Sequence, residues 1–200
     1  MNDIVYAFDL DGTVTRQETL PLLAKELGLY EEMKLLTELT MEGKIRFDQS
    51  FKLRFQVLNG IPLESIQNIM STVLLDEKIA DFIRSNNDKC AIVTGNLDLW
   101  IKPLVEMLGC RSFSSQGKIL YGNSLELSRV LHKSEAIRSL KKTFNRVVAI
   151  GESFNDIPMF EEADIAIAYG GVHDPVSKAI ENSDYVVYDG GSLCKLLRML

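Results

Sequence analysis

Five short apolar runs recur along the chain: IVYAFDL (4–10), CAIVTG (90–95), RVVAIG (146–151), DIAIAYG (164–170) and DYVVYDG (184–190). Each is too short for an ordinary helix, is rich in Val, Ile or Ala, and closes on Gly or Asp at or next to its end, which is the signature of a strand. Between most of them lie stretches with helical spacing: LWIKPLVEMLG, HKSEAIRSLKKTF, NDIPMFEEA, PVSKAIENS and the final SLCKLLRML. Near-continuously apolar strands alternating with helices predict a parallel sheet covered on both faces, an α/β fold. GKILYG (117–122) reads as a short hairpin or edge excursion.

The rhythm breaks between the first two strands. Residues 18 to about 86 carry no strand pattern and several amphipathic helical stretches: ETLPLLAKELGL, EEMKLLTELTMEG, RFDQSFKLRFQVLNG and PLESIQNIMSTVLLDEKIADFIRS. Gly28, Gly43 and Gly60 fall where helices should stop, and Pro62 where the next can start. The pattern predicts a core of residues 1–15 and 87–200 interrupted by an all-helical insertion, residues 16–86.

Composition narrows the class. The chain has 200 residues, 46% hydrophobic and 25% charged, enough to bury a substantial core. Its net charge of −6 argues against a nucleic-acid surface and leaves no basic footprint for a membrane. Cys90, Cys110 and Cys194 lie far apart, with no paired or CxxC spacing, and are expected as reduced thiols of a cytoplasmic protein. MNDIVYAF lacks the features of a signal peptide, and no apolar stretch approaches a bilayer's thickness. His132 and His173 have no partners at metal or triad spacing, and neither is assigned a role.

The chemistry gathers at the strand ends. A buried strand that closes on Asp9 and Asp11 places two like charges together, which needs something positive between them. In open α/β sheets ligands bind outside the carboxyl ends of the strands. Those ends carry Asp9, Asp11 and Thr13, then Thr94, Gly95 and Asn96, then Glu152, Asn155 and Asp156, with Lys133 opening a helix. Crowded carboxylates invite a divalent cation, and an oxygen-only donor set favours Mg²⁺ over zinc. The metal set expected is Asp9, Asp11, Glu152 and Asp156. Asp9 would attack phosphorus as a nucleophile, and Asp11 would protonate the leaving oxygen and then activate water. Lys133, Thr94 and the amides near Gly95 would bind the charge on the phosphoryl oxygens.

DLDGT, the hydroxyl of IVTGN, Lys133 and GESFND, in that order, resemble the four motifs of the haloacid-dehalogenase-like phosphohydrolases. The resemblance implies a Rossmann-like core, Mg²⁺, a nucleophile at Asp9 and an acid/base at Asp11. The insertion sits where one class of that family carries a cap. MEGKIRFDQSFKLRFQVLNGIPLE (41–64) looks like the cap segment of the phosphoserine phosphatase family. That likeness implies substrate contacts at Met41, Phe47 and Arg54, with Glu18 facing the substrate's ammonium. Arg54 offers a planar fork to a carboxylate, which a zwitterionic amino acid phosphate would satisfy. Gly95 and Asn155 complete the expected binding set.

Three positions depart from the family pattern. Glu152 replaces an aspartate, Thr94 a serine, and Asn96 a glycine. Asn96 adds a side chain where substrate should approach, either narrowing the pocket or adding a hydrogen bond. Hydrolysis of O-phosphoserine is the first expectation, and the partner expected is a small phosphorylated metabolite. The same chemistry on a phosphorylated amine or sugar, or a non-catalytic phosphate-binding module, are the alternatives.

Overall fold

The computed structural model describes residues 4–121 and 124–200. Seven strands form one sheet: β1 (Ile4–Phe8), β2 (Cys90–Leu97), β3 (Arg111–Ile119), β4 (Leu125–Arg129), β5 (Arg146–Gly151), β6 (Ile165–Tyr169) and β7 (Tyr185–Val187). Their spatial order is β4-β3-β2-β1-β5-β6-β7, and every pairing is parallel except β3 with β4. The chain runs from β1 to β2 on one side and reaches β5 on the other. This is the reversal at which a crevice opens beyond the strand ends.

Alternation along each strand splits the core into two layers. Val5 and Ala7 of β1 pack with Ala91, Val93, Val147 and Ala149 against α7 (Lys133–Leu140) and α8 (Ile157–Glu162). The larger Tyr6 and Phe8 face the opposite layer with Ile92, Val148 and Ile150. That layer contains α6 (Asp98–Leu108) and α10 (Gly190–Met199); α9 (Ser177–Glu181) lies between β6 and β7 in the chain. The expected parallel sheet therefore forms, and all five predicted strand segments lie in it. The GKILYG excursion belongs to a longer β3 that pairs antiparallel with β4, while Gly122 lies outside the described residues. Both strands are largely exposed at the sheet edge, so neither carries a hydrophobic pattern.

The insertion forms α1 (Thr19–Ala24), α2 (Tyr30–Met41), α3 (Phe47–Leu58) and α4 (Leu63–Ser71). The last predicted helical stretch divides into α4 and α5 (Glu77–Ser85), because Asp76 caps a new helix by accepting from the Lys78 and Ile79 amides. The chain leaves and re-enters the core through paired linkers. Thr15 bridges Leu75, the Arg16 amide donates to the Leu74 carbonyl, and the Asp76 amide donates to the Val14 carbonyl, both at 2.8 Å. Beyond that crossing α5 lies on the sheet, its Phe82 edge-on to Tyr6 at 5.4 Å and to Phe8 at 6.4 Å. The end of the 16–86 segment thus packs on the sheet through α5.

Candidate active site

Asp9 continues β1 by donating its amide to the Ile150 carbonyl at 2.9 Å, so a buried strand pair sets its position. The chain then turns. Gly12 has φ of 76°, and a Cβ there would stand 2.8 Å from Glu152 Oε1 and 3.1 Å from Glu18 Oε1. Only glycine serves the turn and lets the two carboxylates approach. Across the crevice, β2 carries a register shift between Val93 and Leu97, a bulge that re-aims Thr94 and Asn96 toward Asp11. Ser115 pins it, donating to the Gly95 carbonyl at 2.7 Å while accepting from the Leu131 amide.

Asp9, Glu152 and Asp156 offer carboxylate oxygens within 4.8 Å of one another, all buried. Lys133, the first residue of α7, donates to Asp9 Oδ1 at 2.5 Å and to Asp156 Oδ1 at 2.6 Å. Burial works against its ammonium, but the two carboxylates outweigh it and hold the pKa above the usual lysine value. Burial likewise pushes Asp9 and Glu152 well above the ordinary carboxylate range. Lys133 opposes that shift at Asp9, while the neighbouring carboxylates reinforce it at both. Three carboxylates against one ammonium leave an excess of negative charge in a site without water's dielectric. That excess and the all-oxygen donor set fit a hard divalent cation.

The four expected ligands divide. Asp9 and Glu152 face the cavity, and Glu152 Oε2 also accepts from the Thr13 hydroxyl. Asp156 belongs to the cluster but does not line the cavity. Its Oδ2 accepts from the Glu152 amide at 2.9 Å, the Ser153 amide at 2.8 Å and the Ser153 hydroxyl at 2.9 Å. It orients the loop and Lys133. The Asp11 carboxylate stands outside the group formed by the Asp9, Glu152 and Asp156 carboxylates. Oδ1 accepts from the Thr19 amide at 3.1 Å and from the Thr19 hydroxyl, and these donors turn the carboxylate away.

One cavity of about 60 Å³ brings the remaining predicted residues together: Asp11, Glu18, Met41, Phe47, Arg54, Thr94, Gly95, Lys133 and Asn155 all line it. Phe47 covers it from the insertion, its ring so close to Gly95 that a Cβ there would stand 2.0 Å from Cζ. Arg54 is buried in a cradle of neutral oxygens, donating to Ser50 Oγ at 2.9 Å and to Thr37 and Thr40 at 3.3 Å. Burial lowers its pKa to about 10, against the fields of Glu18 and Asp11. Glu18 is pushed up by burial and meets His173 Nε2 at 3.4 Å, an ion-pair contact without hydrogen-bond alignment.

The sequence placed Thr13 at the strand end without a role, and it did not point to Thr19, Ser153, His173 or the Thr37, Thr40 and Ser50 cradle. Hydroxyls are common everywhere in a chain, and His173 reaches Glu18 only through the fold. Their one sequence signal was proximity to the motifs: Thr13 and Ser153 lie inside them, and Thr19 follows Glu18.

A carboxylate beside a lysine, with a second carboxylate held apart by hydroxyls, is equipped to attack a phosphate ester and protonate its leaving group. The class so defined is an α/β phosphohydrolase. A family model for haloacid dehalogenase-like hydrolase matches residues 6–161, and the chain belongs to that family. Phosphoserine phosphatase of Methanocaldococcus jannaschii is 29% identical over 175 residues, covering 81% of this chain and 83% of the relative. A solved structure described as a phospho-aspartyl intermediate analogue of phosphoserine phosphatase matches with a TM-score of 0.83 at 26% identity, covering all of both chains. A 2-hydroxy-3-keto-5-methylthiopentenyl-1-phosphate phosphatase of Lysinibacillus sphaericus is 29% identical over 189 residues, covering 84% of this chain and 82% of that protein. The protein is a phosphoric monoester hydrolase.

Proposed function

We propose that the chain hydrolyses O-phosphoserine to serine and phosphate through an aspartyl-phosphate on Asp9, with Mg²⁺ as its cofactor. The observation that carries the substrate is Arg54. Among the described residues no carboxylate pairs with its buried guanidinium, whose partners are neutral oxygens. An unpaired buried cation lining the same cavity as Asp9 is a receptor for an anionic group on the substrate. Glu18, in the same cavity, suits the ammonium.

Asp9 and Glu152 would hold the metal, which supplies charge neutralisation at the phosphoryl oxygens. An Asp9 oxygen attacks phosphorus, the ester P–O bond breaks, and Asp11 gives its proton to the serine oxygen. Asp11 then takes a proton from water, whose oxygen attacks phosphorus and releases Asp9. Lys133, Thr94 and the Gly95 backbone bind the phosphoryl oxygens, and Asn155 lines the same edge. Met41 and Phe47 cover the site. The insertion of residues 16–75 acts as the cap, with α5 in the core, and three free cysteines suit a reducing, cytoplasmic setting.

A panel of phosphate esters with liberated phosphate as readout tests this. Phosphoserine should lead, chelation should abolish turnover, and added Mg²⁺ should restore it. A phosphorylated amine or sugar ranking far above phosphoserine would overturn the substrate, and an active Asp9→Asn variant would overturn the nucleophile. A second reading is a small phosphate ester without an amine. Glu18 already meets a histidine, and one relative acts on a keto phosphate.

A further inference from the structure

Asn96, the penultimate residue of β2, is 2% exposed, and its side chain reaches the start of the insertion. Its amide orientation is forced. Oδ1 accepts from the Leu97 backbone amide at 2.8 Å, so Nδ2 is the atom that meets Thr19 Oγ1 at 2.8 Å. Thr19 therefore accepts from Asn96, and its own proton points at Asp11 Oδ1, the short contact described above. With the Thr19 amide at 3.1 Å, Oδ1 receives two donors. Oδ2 has only long approaches of 3.4 Å, from Thr94 Oγ1 and Asn96 Nδ2.

From this asymmetry we infer that Asn96 is a positioning residue for proton transfer. Through Thr19 it saturates Oδ1 with donors, so the acid proton sits on Oδ2. An oxygen already engaged by two donors at closer range is the worse place for a proton of its own. The proton passes from Oδ2 to the ester oxygen as its bond to phosphorus breaks, and Oδ2 receives one from water in the second half. The side chain that departs from the family's glycine thus supports the acid while also lining the cavity. The inference rests on Asp11 being the general acid.

Phenyl phosphate and p-nitrophenyl phosphate provide the test, because they share a shape and differ in how much their leaving oxygen needs a proton. A general acid contributes roughly 10²–10⁴-fold, and a misdirected one should lose a part of that. In kcat/KM, Asn96→Gly should lose roughly tenfold more on phenyl phosphate than on p-nitrophenyl phosphate. Thr19→Val should show the same selective loss, and Thr19→Ser, which keeps the hydroxyl, should restore the wild-type ratio. Equal losses on both esters in Asn96→Gly would overturn the inference. If that variant fails to fold, the Thr19 pair decides on the same criterion. Asp11→Asn separates the two levels: equal losses there would remove Asp11 as the acid. A selective loss there with none at Asn96 or Thr19 would reject the positioning role alone.

Discussion

Lys133 shows how a single side chain can serve folding and chemistry at once. Its ammonium lies between Asp9 and Asp156 at 2.5 and 2.6 Å, with almost no exposure to solvent. Lys133→Met would leave two buried carboxylates with no counter-ion, and removing one partner of a buried pair costs about 3–5 kcal/mol. Urea unfolding should register that loss, and phosphatase activity should disappear with it. Arg54→Ala should raise KM for phosphoserine far more than for p-nitrophenyl phosphate, which has no carboxylate. Equal increases would remove Arg54 from substrate recognition. The identity of such residues was legible because the motifs keep their order along the chain. The direction each carboxylate faces was not. Asp11 turns toward Thr19, and no spacing in DLDGT distinguishes that from a carboxylate pointing at a metal.

The elements follow the hydrophobic pattern wherever burial is complete. β1, β2, β5 and β6 are almost fully buried, and all four read as apolar runs. The edge hairpin of β3 and β4 has no such constraint, and only its GKILYG stretch was legible. The division of α4 from α5 was also hidden, since a cap at Asp76 inside an amphipathic stretch looks like one more polar residue. One contact between elements has a pH signature. His173, in the loop after β6, meets Glu18 at the entry to α1, and this contact raises its pKa above the ordinary 6.5. A raised histidine stabilises the fold below its unfolded value and loses that contribution as pH climbs through the folded value. His173→Asn should therefore lower the melting temperature at pH 6 and leave it nearly unchanged at pH 9. With 40% of the His173 side chain exposed, the pair is worth only about 0.5 kcal/mol.

At the scale of the whole molecule, the insertion closes the crevice that the sheet opens. Charges in a small, water-poor cavity act through a low dielectric, so Lys133, Arg54 and the carboxylates exert more force there than on a surface. Phe47, resting on Gly95, is also the first ring of a continuous series. It stacks on Phe51 at 5.6 Å, Phe51 meets Trp100 at 6.3 Å, and Trp100 stacks on Phe55 at 5.7 Å. Trp100 is the chain's single tryptophan and is fully buried. The protein thus contains its own optical probe, two rings from where substrate would lie. Excited at the indole band, its emission should change saturably when an unreactive phosphate analogue is titrated in with Mg²⁺. Phe51→Leu should blunt that response while leaving the starting spectrum blue, as a buried indole requires. A signal indifferent to the analogue would mean that the ring series ends at Phe47 without relaying what touches it.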